Sequence, residues 1–384
     1  MTAPEALRAA LVTALTDSGA LTADWARAFA AVPRHEFLPA TIWADENGGD
    51  TECSRTVDPE QWMRLAYSDV PIVTQWDDGS EGDRSTPTSS ASMPTMVAEM
   101  LSDLDAHPGH RVLEVGTGTG YNAALLAHRL GDANVSTVEV DPQVTTAARA
   151  ALERAGYIPE VVCGDGALGW GVRAPYDRLI STVSLRDIPP AWLSQTRPGG
   201  VIVSPVSPLL GGGAIVRLTV HGDGTASGRF TRSAAFMMLR QQRYEGAPVD
   251  DYLPDEWPGD AEQSWTKLDP EAIGDDWLAQ FACALDLPDV YYRRNLFGGG
   301  WTWWLFDTAV TSWATVDSAP GESQYEVRQS GPRRLWDELE AAHDRWTAAG
   351  RPGYERYGLT VTATGQTAWL DEPTNPLGWS TLAT

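Results

Sequence analysis

The chain is poor in cysteine and in positive charge, and it has no long apolar run. Its three cysteines, Cys53, Cys163 and Cys283, lie far apart. No pair has metal-ligand spacing, and an odd number argues against a disulfide framework. No charged start leads into an apolar run, so a signal peptide is not expected. No stretch approaches the length of a membrane span. These absences point to a cytoplasmic protein. Only 28 Lys and Arg stand against 52 Asp and Glu, a formal net charge of −24. Nonspecific affinity for nucleic acid comes mainly from Lys and Arg neutralising phosphates, and anionic membranes attract the same side chains. Neither nucleic acid nor membrane is an expected partner. The histidines, His35, His107, His110, His128, His221 and His343, show no metal spacing, and no metal is expected. There is no fixed-period repeat and no low-complexity tract.

What is present is an ordinary globular composition, 42% hydrophobic and 21% charged over 384 residues. That length suits two domains and a sizeable core. Leu7, Ala10, Leu11, Ala14 and Leu15 recur at helical spacing. A second helix is expected over Thr22–Ala31, with Thr22 as N-cap and Pro33 as its stop. Val32 to Pro39 reads as extended. From Trp76 to Ser92 the chain turns to Asp, Gly, Ser and Thr and reads as a polar loop. Pro94 then opens a helix to about Leu104. Strands and helices alternate after that: strand Arg111–Val115, helix Gly120–Leu130, strand Asn134–Val140, helix Pro142–Ala155, then strands Glu160–Cys163, Tyr176–Val183 and Val201–Pro205. This predicts a doubly wound α/β domain with a parallel sheet covered on both faces. Ala214–Val220 and Ser227–Ala234 flank His221-Gly222-Asp223-Gly224, a hairpin signal.

The expected organisation is a catalytic domain over 1–243, an acidic linker over 244–269 and a Trp-rich accessory domain of α+β type over 270–384. Trp301–Phe306, Ser312–Val316 and Tyr325–Arg328 read as strands of a meander. Pro332–Ala349 reads as a helix with Leu335, Trp336, Leu339, Ala342, His343 and Trp346 on one face. Leu359–Thr364 alternates as a strand. Of the 17 tryptophans, Trp301, Trp303, Trp304, Trp313, Trp336, Trp346, Trp369 and Trp379 crowd this region. Tryptophan buries large area, so most should be core, although some could anchor a peptide. Tyr291-Tyr292-Arg293-Arg294 and Arg333-Arg334 are rare basic clusters. They are either solvated or available to guide an acidic peptide.

The strongest chemical signal is Val112-Leu113-Glu114-Val115-Gly116-Thr117-Gly118-Thr119-Gly120-Tyr121. A strand ends beside a carboxylate, and a glycine-rich turn leads into a helix. Glycines let the backbone approach a ligand closely, and ligands of open parallel sheets bind at such strand ends. A dinucleotide fingerprint would need glycine at Tyr121. No Gly-Lys-Ser/Thr follows, so this is not a phosphate loop. Glu139 ends the next strand about twenty positions on, where a ribose diol would be held. Asp165, in Gly164-Asp165-Gly166, could accept from an adenine amino group. Either acid alone could be a solvated turn residue. Three strand ends bearing three polar functions make a nucleoside pocket.

The motifs occur in the order of the protein-L-isoaspartate O-methyltransferase family, which residues 1–240 resemble. Val32-Pro33-Arg34 through Pro39 is similar to V-P-R-x-x-F-x-P. Tyr67-Ser68-Asp69 is similar to Y-x-D. Gly116–Gly120 matches the cofactor loop, Gly164 through Trp170 matches G-D-G-x-x-G-W, and Pro175 through Ile180 matches P-[FY]-D-x-I-I. Ile188-Pro189-Pro190 and Arg197-Pro198-Gly199-Gly200 follow. The resemblance implies a class I S-adenosyl-L-methionine-dependent methyltransferase fold and methyl transfer to a peptide carboxylate. It implies cofactor contacts from Ser89, Ser90, Glu114, Gly116, Thr117, Gly118, Gly120, Glu139, Val140, Asp165 and Gly166. The family's T-I-S-A-P-x-M segment falls on Ser90–Met96 and puts Ser92 at the serine that orients the acceptor. Ser92 could instead cap the helix opened by Pro94. Asp69 is a further catalytic candidate. No general base is obvious, and an ionised carboxylate needs none.

Two departures fall on the substrate side: the acidic loop Trp76–Arg84 and the whole segment after about 240. The extended form resembles methyltransferases encoded with ribosomally made peptides, in the graspetide and lanthipeptide systems. That resemblance implies a modified precursor peptide as partner, whose Asp side chain is methylated and then cyclised to an aspartimide. The alternatives are a general isoaspartate repair enzyme, which would methylate short isoaspartyl peptides, and a peptide-binding module without turnover, which would not need an intact cofactor loop.

Overall fold

The computed structural model describes residues 3–45, 49–80, 82, 84–253, 256, 258–297 and 299–382. The chain forms two compact units. One takes Met1–Val183, Pro189–Ser204 and Thr219–Gly224; the other takes Ser184–Ile188, Pro205–Leu218 and Thr225–Thr384. No helix among the described residues is long and apolar enough to cross a membrane.

The first unit opens with α1 (Ala3–Asp17) and α2 (Ala23–Ala31). Pro33 stops the second as expected. Beyond it, the segment read as extended instead makes a 3-10 turn, Arg34–Phe37, that buries both Arg34 and Phe37. Then come β1 (Thr41–Asp45), β2 (Asp50–Ser54), α3 (Pro59–Ala66), β3 (Ile72–Trp76) and β4 (Pro87–Ala91), and the strands form an antiparallel sheet of order β2-β1-β3-β4. Strand β4 lies inside the stretch read as a polar loop. Its Ser and Thr show no apolar alternation, so only pairing with β3 reveals it.

The doubly wound part follows as expected: α4 (Pro94–Leu104), β5 (Val112–Val115), α5 (Tyr121–Leu130), β6 (Val135–Glu139), α6 (Pro142–Arg154), β7 (Glu160–Cys163), β8 (Tyr176–Ser181), α7 (Pro190–Gln195) and β9 (Thr196–Val206). Strands β5 to β9 run parallel in the order β9-β8-β5-β6-β7. The strand order reverses at β5, and ligands of open α/β sheets bind at that switch point. Every residue of β5 is buried, which is why it reads as a continuous apolar strand around one acid.

The second unit holds most of β10 (Ala214–Val220), and β11 (Ala226–Ser233), β12 (Glu262–Thr266), α8 (Glu271–Gly274), α9 (Trp277–Ala284), β13 (Val290–Phe297), β14 (Gly300–Asp307), β15 (Trp313–Ser318), β16 (Tyr325–Ser330), α10 (Leu335–Ala348), β17 (Tyr357–Thr362), β18 (Gly365–Leu370) and β19 (Pro376–Leu382). An antiparallel sheet of order β12-β16-β15-β14-β13 packs on α10 through Val316, Val327, Leu335, Trp336 and Leu339. The helix face expected from its spacing is buried throughout. Within 244–269 the chain is not all irregular, because β12 pairs with β16. Trp303, Trp313, Trp336, Trp346 and Trp369 are core, and Trp301 and Trp304 are partly buried against it. The Trp379 side chain lies outside the described residues.

Trp369 shows how one of these tryptophans sets a strand pair. It is the register partner of Gly358, its Nε1 donates to Thr360 Oγ1 at 3.0 Å, and the Arg229 guanidinium covers its ring at 5.1 Å. A Cβ on Gly358 would lie 2.1 Å from the indole Cζ2. Gly358→Ala is therefore expected to destabilise the protein by roughly 1–3 kcal/mol through overpacking. A denaturant midpoint equal to wild type would show that the indole can shift without cost.

Candidate active site

Glycine geometry builds the floor of the site. Gly116, Gly118 and Gly120 all have positive φ, at 92°, 52° and 89°. A Cβ on Gly116 would strike Thr182 Oγ1 at 2.7 Å, and one on Gly118 would reach Ser90 O at 3.5 Å. The loop is pinned from below, where Gly116 N and Thr117 N donate to Val138 O at 2.9 and 3.3 Å. Thr117 Oγ1 and Thr137 Oγ1 lie 2.6 Å apart, and Thr137 Oγ1 donates to Glu114 Oε2 at 2.6 Å. Asn122 Nδ2 donates to Glu114 Oε1 at 2.7 Å. Glu114 is therefore not a ligand group facing outward. Its carboxylate is fully buried, and it braces the loop against β6 and α5. Burial pushes its pKa up to about 7, against the opposing hydrogen bonds of Thr137 and Asn122.

Glu139 ends β6 in a different setting. It is partly exposed. Its Oε2 accepts from Gly118 N at 3.0 Å and its Oε1 from Asp141 N at 3.1 Å. One carboxylate thus touches the tip of the glycine loop and the turn into α6, where two hydroxyls of a ribose can be received. Val140 follows in that turn, where its carbonyl faces Cys163 Sγ at 4.0 Å. On the neighbouring strand, Gly164 N donates to Glu139 O at 2.8 Å. Asp165 comes next: its Oδ1 accepts from Ala167 N at 2.8 Å, and its Oδ2 carries no hydrogen bond among the described residues. Gly166 O receives the indole N–H of buried Trp192 at 2.9 Å. The structure thus brings Gly116, Thr117, Gly118, Gly120, Glu139, Val140, Asp165 and Gly166 to adjacent strand ends.

The opposite wall comes from β3 and β4. Ser89 Oγ accepts from Thr74 Oγ1 at 3.1 Å, and Ser90 O stands over Gly118. Gln75 Nε2 donates to Asp141 Oδ2 at 3.2 Å, which ties the hairpin to the cap of α6. Asp77 closes the hairpin loop by accepting from Ser85 N, Ser85 Oγ and Thr86 N.

Arg34 organises the residues between these walls. It is completely buried. Its Nη1 donates to Ala66 O at 2.9 Å and Ser68 O at 3.4 Å, and its Nη2 to Val70 O at 3.4 Å, Ala91 O at 3.2 Å and Ser92 O at 3.1 Å. Two distant segments are fixed by one side chain. Asp69 rides on the first, and both its oxygens are engaged: Oδ1 by Thr95 N at 2.8 Å and Oδ2 by Thr95 Oγ1 at 2.6 Å. It caps α4 from outside the helix, a structural role in place of the catalytic one expected. Ser92 rides on the second segment. The N-cap position of α4 is Met93, whose own side chain makes no cap hydrogen bond, so Ser92 is not the cap either. Its hydroxyl makes no hydrogen bond among the described residues and stays available. Sequence reasoning missed Asn122, Thr137 and Gln75, whose partners are distant in the chain. Arg34 was legible only as part of a motif.

Three of the four arginines in the basic clusters of the second unit are ion-paired, while the exposed Arg293 donates, among the described residues, only to Glu245 O, at 3.2 Å. Arg294 bonds Glu271 at 2.9 Å, Arg333 bonds Asp289 at 2.7 Å and also Glu338, and Arg334 pairs with Glu262.

A parallel sheet with a glycine loop after β5, a partly exposed acid ending β6 and a further acid after β7 defines a class I S-adenosyl-L-methionine-dependent methyltransferase. The cradle at Gly116 and Gly118 and the carboxylates of Glu139 and Asp165 fit its nucleoside. Residues 52–243 match the family described as protein-L-isoaspartate(D-aspartate) O-methyltransferase. A protein-L-isoaspartate O-methyltransferase of Methanopyrus kandleri is 38% identical over 184 residues, 47% of this chain and 68% of that protein. One of Hyperthermus butylicus is 39% identical over 158 residues, 38% of this chain and 61% of that protein. A third, protein-L-isoaspartate O-methyltransferase 2 of Polaromonas sp., is 36% identical over 213 residues, 55% of this chain and 85% of that protein. A solved structure titled protein-L-isoaspartate O-methyltransferase shares the fold at a TM-score of 0.51 and 23% identity, over 92% of this chain and 96% of that chain. The chain belongs to this family of carboxyl O-methyltransferases, whose methyl donor is S-adenosyl-L-methionine.

Two outcomes test the site. Glu139→Ala should weaken S-adenosylhomocysteine binding by about 1.5–3 kcal/mol, the range for a charged hydrogen-bond partner, as read by calorimetry. Unchanged affinity would refute the diol assignment. For Glu114, folding raises the pKa from 4.5 to about 7, so the native state binds more protons across that window. Stability must therefore fall as pH rises through it and level off above. Urea midpoints at about pH 5 and about pH 8 should show this decline in wild type and a flatter profile in Glu114→Gln.

Proposed function

We propose that this chain methylates the free carboxylate of isoaspartyl residues in peptides. The observation that carries the reading is the Ser92 hydroxyl, unbonded and held by Arg34 on the segment that stands over the glycine loop. Its support in the relatives is their shared name, protein-L-isoaspartate O-methyltransferase.

When bound, S-adenosyl-L-methionine supplies a methyl group on a positively charged sulfur, which leaves as a neutral thioether once a carboxylate oxygen takes the carbon. Everything else is positioning by this chain. Glu139 and the glycine loop hold the ribose end, and Asp165 the adenine. Ser89 and Ser90 border the loop from β4. Ser92 donates its hydroxyl hydrogen to one acceptor oxygen and turns the other toward the methyl group. The acceptor is already ionised at neutral pH, so no side chain has to remove a proton. Fixing two reactants in attack geometry is where the rate comes from.

A second reading keeps the chemistry and narrows the substrate: an Asp side chain of a ribosomally made, modified peptide, methylated and then closed to an aspartimide. Its support is the length of chain beyond residue 243, where the family match ends. Against it, the fold shared with the solved isoaspartyl methyltransferase covers 92% of this chain, so an extension of this kind is not peculiar to peptide maturation. The isoaspartyl reading is the better supported.

An isoaspartyl hexapeptide and its aspartyl isomer separate the two. Base-labile methyl ester should form on the first and not on the second; ester on neither would remove the repair reading. Ser92→Ala should lose turnover roughly 10- to 100-fold, as expected for one charged hydrogen bond, with S-adenosylhomocysteine affinity kept. Full turnover in that variant would leave Ser92 without a role in orienting the acceptor.

A further inference from the structure

The side chain of Gln75 joins the hairpin of β3 and β4 to the turn that follows β6. Its Oε1 accepts from Thr88 Oγ1 at 3.0 Å, and its Nε2 donates to Asp141 Oδ2 at 3.2 Å. An ionised carboxylate offers only acceptors, so the amide nitrogen is the atom that faces Asp141. Asp141 is buried, and its Oδ1 caps α6 by accepting from Gln143 N at 2.8 Å and Val144 N at 3.1 Å. Its own N–H donates to Glu139 Oε1 at 3.1 Å, and Glu139 Oε2 accepts from Gly118 N at 3.0 Å. From Gly118 the path returns to β4, because a Cβ there would reach Ser90 O at 3.5 Å. Hairpin, helix cap, Glu139 and glycine loop thus form a closed circuit, and all of it lies in the first unit.

Two features set this bridge apart from a chance surface contact. The β3–β4 register shifts on both sides of Gln75, and irregularities of this kind re-aim side chains beside active sites. The hairpin turn also closes over the amide. Gly79 has a φ of +81°, and a Cβ there would come within 3.1 Å of Gln75 Nε2 and 3.9 Å of Gln143 Oε1. Asp78 N donates to the same Thr88 hydroxyl at 3.0 Å. The acidic loop that departs from the family on the substrate side is therefore hydrogen-bonded, through Thr88 and Gln75, to the cap beside Glu139. Strand β4 ends at Ala91, and Ser92 is the next residue.

We propose that Gln75 is a positioning residue that couples the two ligand sites: a nucleoside bound at Glu139 steadies the β3–β4 hairpin through Gln75, so that the acceptor peptide binds more tightly when the cofactor is in place. The peptide half of the proposal rests on the carboxylate methyltransferase reading above. The physical basis is shared ordering. Ribose hydroxyls on Glu139 hold the carboxylate that already receives Gly118 N and Asp141 N, and so they still the turn that Gln75 grips. A hairpin ordered by the first ligand loses less conformational freedom on taking the second. Gln75 acts through Asp141 on one side and Thr88 on the other, and needs no contact with either reactant. Coupling of this kind is reciprocal, so the peptide tightens the cofactor by the same factor.

The test uses the full chain, S-adenosylhomocysteine and hydrogen exchange. In wild type the ligand should slow exchange of the β4 amides by about fivefold or more, together with those of the glycine loop. In Gln75→Ala the glycine loop should stay protected while the gain in β4 falls to about twofold or less. Gln75→Glu sets a second carboxylate against Asp141 and should uncouple β4 in the same way. Gln75→Glu combined with Asp141→Asn puts a donor back between the two side chains and should restore the gain. A labelled isoaspartyl hexapeptide, followed by anisotropy, should bind wild type about fivefold or more tightly with S-adenosylhomocysteine present, and Gln75→Ala equally with and without it. The exchange measurement contains no peptide. Absence of methyl ester on isoaspartyl peptides would therefore strike the methylation reading and leave the coupling to be decided by exchange. No protection of β4 in wild type, or the full gain in Gln75→Ala, overturns the proposal. So does a lower melting temperature in Gln75→Ala with the β4 gain intact, which would make the bridge structural only.

Discussion

Arg34 is charged, completely buried, and hydrogen-bonded only to backbone. Its two terminal nitrogens reach the carbonyls of Ala66, Ser68, Val70, Ala91 and Ser92. Burying a cation is expensive unless its donors are met, and here carbonyl dipoles meet them in place of a carboxylate. The cost remains visible: burial lowers the guanidinium pKa to about 10, against the opposing influence of Tyr121 and Asp69, and Nε finds no partner. What the arrangement secures is the relation between two segments far apart in the chain. One carries Asp69, which caps α4. The other carries Ser92, just before that helix. Serine position, helix start and the wall above the glycine loop therefore all depend on one side chain.

Glu114 and Glu139 show how surroundings separate two chemically similar acids. Both sit at strand ends beside the same glycine loop. Glu114 points inward, is desolvated, and titrates near neutrality. Its business is with Asn122 and Thr137, and through Thr137 with Thr117. Glu139 remains partly exposed and accepts from the loop's own Gly118 N–H. The inner acid shapes the loop, and the outer one stays partly exposed at its tip. The cap of α6 belongs to the same assembly, because Asp141 accepts both from its helix and from Gln75 of the hairpin.

In the second unit, tryptophan and arginine are mostly structural. The large indoles fill the core between the meander and α10 or lie over a strand glycine, as Trp369 does over Gly358. Three of the four arginines in the basic clusters that look suited to an acidic peptide, Arg294, Arg333 and Arg334, are paired with Glu271, Asp289, Glu338 and Glu262. An acidic chain neutralises many of its few cations locally.

The sequence by itself determined the parallel sheet, the glycine loop, the acids after β6 and β7 and the helix face of α10. Periodicity and turn chemistry are local, so they survive in one dimension. It did not show β4, whose Ser and Thr become a strand only beside β3. Nor did it show that Asp69 caps a helix, that Ser92 does not, or that Glu114 faces inward while Glu139 faces out. The fates of Arg34, Arg294 and Arg333 were equally hidden. Each of these was decided by hydrogen bonds, ion pairs or burial involving residues remote in sequence, and only the tertiary structure brings those partners together. A carboxylate or guanidinium carries its charge in the sequence; what that charge does depends on the atoms folding places around it.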